Sequence, residues 1–271
     1  MLIDKKNTSD PTKIAEGFNN YFSTIAEKLV PKTTPGSKHF SMYLSNPLDV
    51  NFMLNPTDTV EIMSIIDSLG SESSGPYSIP TEILKFLKPN LCHPLAAILN
   101  MSFVTGVYPD QLKTAKVIPV FKKGDKLLVS NYRPISLLSN LNKIYEKIVY
   151  KRLYSFLNIH NCIYELQFGF RAGHSTNHAL ISLTEKVRVA LDTGNFACGI
   201  FVDFQKAFDT VDHEILLKKL EHYGVRHTAN KWFRSYLTNR TQYTSINGFD
   251  SSKKPMKYGV PRALSWVPCC F

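Results

Sequence analysis

A mixed α/β fold is predicted from three features of the 271 residues: apolar side chains that recur every three or four positions over long stretches, short apolar runs bounded by turn residues, and 44% hydrophobic content. The first feature marks amphipathic helices, the second marks strands, and the third supplies enough apolar side chain for one large core or two modest ones.

In chain order, Asp10-Pro11 reads as a helix cap followed by proline at the first helical position, and Ile14, Phe18, Phe22, Ile25 and Leu29 then repeat at helical spacing. The Pro/Thr/Gly/Ser-rich stretch 31–37 ends that helix as a loop. A second helix is expected over 58–69, with Val60, Met63, Ile66 and Leu69 on one face and Gly70 as its stop, followed by a loop over 71–80. Residues 81–106 read as mainly helical, interrupted by Pro89 and Pro94. The run 116–121 fits a strand, and 138–157 fits a helix that turns Leu141, Tyr145, Ile148, Leu153 and Phe156 inward. The run Phe-Ala-Cys-Gly-Ile-Phe-Val over 196–202 is apolar at every position, which predicts a central strand covered on both faces and ending at Asp203. Asp212 caps a further helix that carries Ile215, Leu216 and Leu220 and closes at Gly224. Finally, 241–246 alternates like a hairpin strand, with Asn247-Gly248 as its turn.

The formal net charge is +10, from 32 Lys and Arg against 22 Asp and Glu, which favours an anionic partner such as nucleic acid or an acidic surface. That charge is localised: residues 1–110 carry eight basic and eleven acidic side chains, whereas 111–152 carry ten and two. A solvated Lys-rich surface is the plainer reading of such a stretch. The five cysteines (Cys92, Cys162, Cys198, Cys269 and Cys270) form no CxxC pair and have no histidine at zinc-ligand spacing, so reduced thiols and an intracellular protein, nuclear or cytoplasmic, are expected. Nothing resembles a signal peptide, and no apolar run reaches the ~20 residues of a membrane span.

Two-metal phosphoryl chemistry needs carboxylates at the exposed ends of core strands. Asp203, which follows a buried-type strand, stands where such a ligand belongs, although an aspartate after an apolar run is more commonly a turn former or a helix cap. The text around it, Phe-Val-Asp-Phe-Gln-Lys-Ala-Phe-Asp-Thr-Val-Asp-His over 201–213, resembles the first catalytic motif of the reverse transcriptases of non-LTR (LINE, jockey-like) retrotransposons. Other segments resemble the same family in the same order, from about Asp10 to Pro261: Ser74-Gly75-Pro76 with Ile79-Pro80, where Tyr77-Ser78 depart from the usual Asp-Gly; Val117 to Asp125; Asn131 to Leu138; and Gln167 to Thr176.

The resemblance implies right-hand polymerase fingers with a partial palm, divided into a helical linker region upstream of the core (1–70), a fingers-like segment (71–195) and a partial palm (196–261). It implies Asp203 as a catalytic metal ligand with the Phe204 backbone carbonyl beside it, Phe208 as the gate against a 2′-hydroxyl, and Arg171 as a triphosphate ligand. Lys122, Lys123 and Arg133 are implied contacts to nucleic acid or triphosphate, an arginine paired with a buried carboxylate being the structural alternative for Arg133. Asp209 and Asp212 are assigned to turn and cap, and His174 to loop structure. The implied cofactor is Mg2+, and the implied partners are an RNA template, a DNA primer and dNTPs. After Pro261 the family text stops: Arg262 to Phe271 matches the expected Gln-Gly-Ser continuation only if one base is lost from the first codon, so 262–271 is expected to be an out-of-frame tail. The family's paired aspartates are not in this text. The chain alone is therefore expected to be inactive, and a non-enzymatic nucleic-acid-binding remnant or pseudogene product is the alternative.

Overall fold

The structure, a computed structural model, describes residues 1–3, 6–29, 40–44, 46–70, 75–76 and 79–260. The expected loop at 31–37, most of the loop at 71–80 (including Ser74, Tyr77 and Ser78) and the tail 262–271 lie outside the described residues.

The chain is mixed helix and sheet, as predicted. A two-residue hairpin (β1, Leu2–Ile3; β2, Lys6–Asn7) precedes α1 (Pro11–Leu29), whose cap Asp10 accepts from the Thr12 amide at 2.9 Å. Helix α2 (Thr59–Asp67) is capped by Asp58, which accepts from the Glu61 amide at 2.7 Å. Helix α3 (Thr81–Thr105) runs on through Pro89 and Pro94, where interruptions were expected, and stops at Gly106 in the left-handed conformation. Both prolines are exposed, so the carbonyls that lose their amide partners, those of Lys85 and Asn90, can be satisfied by water. Then come β3 (Thr114–Phe121), β4 (Tyr132–Leu137), α4 (Asn140–Ile159), α5 (Thr176–Asp192), α6 (His213–His222), α7 (His227–Leu237) and the strands β5 (Thr241–Ile246), β6 (Phe249–Asp250) and β7 (Lys254–Pro255).

Helices α2, α3, α4, α6 and α7 share one apolar core. At its centre Trp232 is stacked on Tyr236 (ring centroids 5.5 Å apart) and meets Phe103 and Tyr108 edge-on, while its indole N–H donates to Ser102 Oγ at 2.9 Å. Arg152 ties α4 to α2 by donating to both Glu61 carboxylate oxygens and to the Asn55 and Pro56 carbonyls, fixing the extended stretch before α2.

The sheet runs β4-β3-β5-β6, with β7 also on β5; the β3–β5 pairing is parallel and the others are antiparallel. The period-two alternation of β3 puts Ala115 and Val117 inward, and α1 covers that face with Phe18 and Phe22 against Val117. Asn19 of α1 is fully buried there because its amide is satisfied twice, donating to the Ser252 carbonyl at 2.7 Å and accepting from Gln242 at 3.1 Å. The amphipathic repeat read from the sequence is therefore packed on the sheet.

The predicted strand over 196–202 is not formed. Those residues are without regular structure and unpaired, and Phe196, Ile200, Phe201 and Val202 are 100%, 87%, 85% and 77% exposed. The outer strands of the sheet, β4 and β6, do not pair with this run. Strand β3 is flanked by β4 and β5, β5 by β3, β6 and β7, and the outer strand β4 carries Pro134, which has no amide to donate. A strand apolar on both faces has no propensity to stand alone in water. Helix α5 before it buries no side chain either. An apolar surface of this kind drives association. Replacing Ile200 and Phe201 together with lysine should therefore raise the soluble fraction, read by light scattering, and leave the melting temperature unchanged; a lowered melting temperature would show that these side chains support the fold.

Candidate functional site

Residues 205–211 form a tight turn between the unpaired 196–204 stretch and α6. Lys206 takes a positive φ of 56°, and its carbonyl accepts from the amides of Asp209 at 2.8 Å and Thr210 at 3.1 Å. Asp212 caps α6, accepting from the Ile215 amide at 3.0 Å, the capping role expected for it.

Three distant segments close on this turn. The first is α1: Lys206 Nζ lies 5.5 Å from the centre of the Tyr21 ring, and the Tyr21 hydroxyl is held above its ordinary range by burial and by the negative charge of Asp209. The second is the segment 258–260, where the Gly259 amide donates to the Val211 carbonyl at 2.8 Å and the Val260 amide to the Phe208 carbonyl at 2.9 Å. His213 Nε2, 2.7 Å from the Gly259 carbonyl, must carry the proton, since a carbonyl only accepts. Glycine is required at 259: φ is +78°, and a Cβ would sit 2.7 Å from the Asp209 carbonyl oxygen. The third is the loop 164–175, whose Phe170 ring meets the Phe208 ring edge-on at 6.0 Å. Phe22, Pro134, Asp209, Gln242, Gly259 and Val260 line a small cavity of about 30 Å3 at this convergence.

The basic side chains stand on the β3–β4 hairpin. Lys122 and Lys123 lie in its turn, which is closed by the Lys122 amide donating to the Asn131 carbonyl at 2.9 Å and by Gly124 at a φ of +90°. Arg133 lies opposite Val120 and is exposed, alternating with inward Pro134 and Ser136. It forms no ion pair among the described residues, so pairing with a buried carboxylate is not its role there.

Arg171 is placed within its own loop, donating to the carbonyls of Glu165 at 3.1 Å and Tyr164 at 3.4 Å, and His174 Nδ1 lies 3.1 Å from the Ala172 carbonyl. Asp203 and Phe204 are exposed on the unpaired stretch. Among the described residues no three Asp, Glu, His or Cys side chains come close enough to share a metal ion. Mg2+ is ordinarily held through one or two carboxylates together with waters and substrate phosphates, so Asp203 could supply one such ligand but not a site of its own.

Of the residues singled out in the sequence, the structure joins Phe208 to the Arg171 loop through Phe170 and groups Lys122, Lys123 and Arg133 on one hairpin; it leaves Asp203 apart. Tyr21, Phe170, His213 and Gly259 were missed. Gly259 alone carried a readable signal, a glycine before Val-Pro in a stretch of otherwise bulky residues.

The family pattern described as reverse transcriptase (RNA-dependent DNA polymerase) matches residues 120–271. A probable RNA-directed DNA polymerase from transposon BS of Drosophila melanogaster is 30% identical over 95% of this chain and 28% of its own length. The RNA-directed DNA polymerase from mobile element jockey of the same fly is 31% identical over 84% of this chain and 25% of its own length. A probable RNA-directed DNA polymerase from transposon X-element is 26% identical over 84% of this chain. The chain thus spans about a quarter of the length of these curated relatives.

Proposed function

Since the chain belongs to the reverse transcriptase family, in its non-LTR, jockey-like branch, we propose that it supplies the fingers and the first part of the palm of an RNA-directed DNA polymerase. Residues 71–195 are the fingers and 196–261 the beginning of the palm. The family binds a nucleic-acid template and primer and uses divalent metal ions; an RNA template, a DNA primer, dNTPs and Mg2+ are the specific set proposed here. The observation that carries this reading is the meeting of three sequence-distant segments, α1 at Tyr21, the loop 164–175 at Phe170 and the segment 258–260, on the turn at 205–211, where Pro134 of the cationic β3–β4 hairpin lines the same small cavity.

In this reading Lys122, Lys123 and Arg133 neutralise phosphates, Arg171 reaches the triphosphate from its loop, and the Phe208 ring stands where a ribose 2′-hydroxyl would collide. Asp203 and the Phe204 carbonyl are the chain's own contribution to the metal site. No step of nucleotidyl transfer is assigned to them, because the described residues do not assemble that site. The same observation favours a second reading, a nucleic-acid-binding piece that performs no transfer. Among the described residues no helix is long and apolar enough to cross a membrane.

Titration of an RNA–DNA template–primer against salt tests the first reading. Alanine at Lys122, Lys123 or Arg133 should each reduce the slope of log K against log salt by about 0.7–0.9, the value of one lost phosphate contact. Unchanged slopes would remove the hairpin from the interface. Addition of a dNTP to the primer in magnesium decides between polymerase and binding piece.

A further inference from the structure

We propose that Phe170 is a positioning residue that sets the Phe208 ring, and so the discrimination between deoxyribose and ribose; this rests on the reading of Phe208 as the sugar gate. Phe170 has a φ of +57°. Left-handed backbone is sterically unfavourable for a bulky side chain, and residues held there point to a function that requires it. Burial does not compensate, for Phe170 is 66% exposed. What the conformation achieves is the contact: the Phe170 ring lies 6.0 Å from the Phe208 ring, at 79° to it.

The loop behind Phe170 is fixed on both sides. Arg171 donates to the Glu165 and Tyr164 carbonyls, the Gln167 amide donates to the Tyr164 carbonyl at 2.9 Å, and the His174 amide donates to the Arg171 carbonyl at 3.2 Å. Phe208 in turn is packed against the helical core, and its carbonyl is held by the Val260 amide. Its ring is thus seated between the core and Phe170. Removing Phe170 frees the outward side of that ring to swing away from a nucleotide sugar.

The test measures binding of dUTP and of UTP, which differ only at the 2′ position, as magnesium salts, to the full chain loaded with an RNA–DNA template–primer that presents a templating adenine. The wild type should prefer dUTP by about tenfold, a steric exclusion of ordinary size. Phe170→Gly, which relieves the backbone and removes the ring, should bring the ratio close to one by strengthening UTP binding, with dUTP binding within about twofold of wild type and an undiminished melting temperature. Phe170→Tyr, which keeps the ring, should retain the wild-type ratio. An unchanged ratio in Phe170→Gly overturns the proposal while leaving the gate reading intact, provided Phe208→Ala abolishes the preference. A lowered melting temperature in Phe170→Gly with the ratio kept makes Phe170 a structural residue and also overturns it. If the wild type binds dUTP and UTP equally or binds neither, the gate reading fails and the proposal fails with it.

Discussion

Trp232→Ala should cost about 4 kcal/mol of folding stability, within the 3–5 kcal/mol range for truncating a buried tryptophan. Trp232 is fully buried, stacked on Tyr236, and in edge contact with Phe103, Tyr108 and Phe233. The collar joins separate elements, with Phe103 on α3, Tyr108 on the segment after it, and Phe233 and Tyr236 on α7 beside Trp232 itself. Such a site collapses poorly around a cavity, which keeps the loss above the lower end of that range. The Ser102 hydroxyl keeps one partner, since it also donates to the Val107 carbonyl at 2.6 Å, so no stranded polar group adds to the loss. Because domains of this size are stable by only about 5–15 kcal/mol, the variant should unfold at a much lower urea midpoint with the slope unchanged. A loss under about 1 kcal/mol would mean that the helices repack and that the cluster is not the hub of the core.

Stability should fall as pH rises from about 4.5 through about 7, and Glu146→Gln should abolish that fall. Glu146 is buried in α4 and accepts from the Tyr236 hydroxyl at 2.7 Å. Burial pushes its carboxyl up to about 7, an effect only partly offset by the Tyr236 hydrogen bond and by the charges of Arg240 and Lys143. Arg240, itself buried, does not form an ion pair with it: one guanidinium nitrogen donates to the Tyr236 carbonyl at 3.1 Å, the group lies 4.7 Å from the Tyr236 ring centre, and Nε and Nη2 have no hydrogen-bond partner among the described residues. A carboxyl whose folded pKa lies above its unfolded value of 4.5 keeps its proton in the fold when the unfolded chain has released it. Its contribution is complete below about pH 4.5 and is lost as pH rises through about 7, to a total of up to about 3 kcal/mol. Glutamine keeps a hydrogen-bond acceptor for Tyr236 and removes the titration. Urea unfolding at several pH values measures both proteins, and equal pH profiles would show that Glu146 is ionised in the fold and held by Arg240.

The local features of the chain were legible because they are written in adjacent residues. Asp10 and Asp212 cap helices as read, Asp58, read as the first residue of its helix, is the cap of that helix, and Asn247-Gly248, both at positive φ, turn β5 into β6. The inward face of α4 was read correctly at Tyr145, Ile148 and Leu153, but Glu146 beside them is as buried as they are. Its partners lie on α7 and just before β5, some ninety residues away, and no local pattern announces them. Helix α7, with Trp232, Phe233 and Tyr236 at its core face, was not read as a helix at all, although it supplies the centre of the core. The strand over 196–202 failed for the converse reason: an apolar run states that a strand needs neighbours and is silent on whether the rest of the chain provides them. The site divides in the same way. Motif resemblance singled out Phe208 and the hairpin cations as candidates, whereas Tyr21, His213 and Phe170 are engaged through contacts that only the folded backbone creates.

The parallel pairing of β3 with β5 also imposes an order of events on synthesis. Thr114 and Thr241, which face each other in that pairing, are 127 residues apart. While the ribosome is still making α4, the β3–β4 hairpin can form by local closure, but its inner edge stays unsatisfied until residue 246 has emerged. Contacts of such long sequence range form slowly because the loop must close before any of them is gained. Throughout that interval β3 offers an open edge to any other extended segment, and the apolar run at 196–202 leaves the ribosome before its rightful neighbour, β5. A chaperone that binds extended apolar chain would have its longest opportunity there, between the synthesis of residue 202 and that of residue 246.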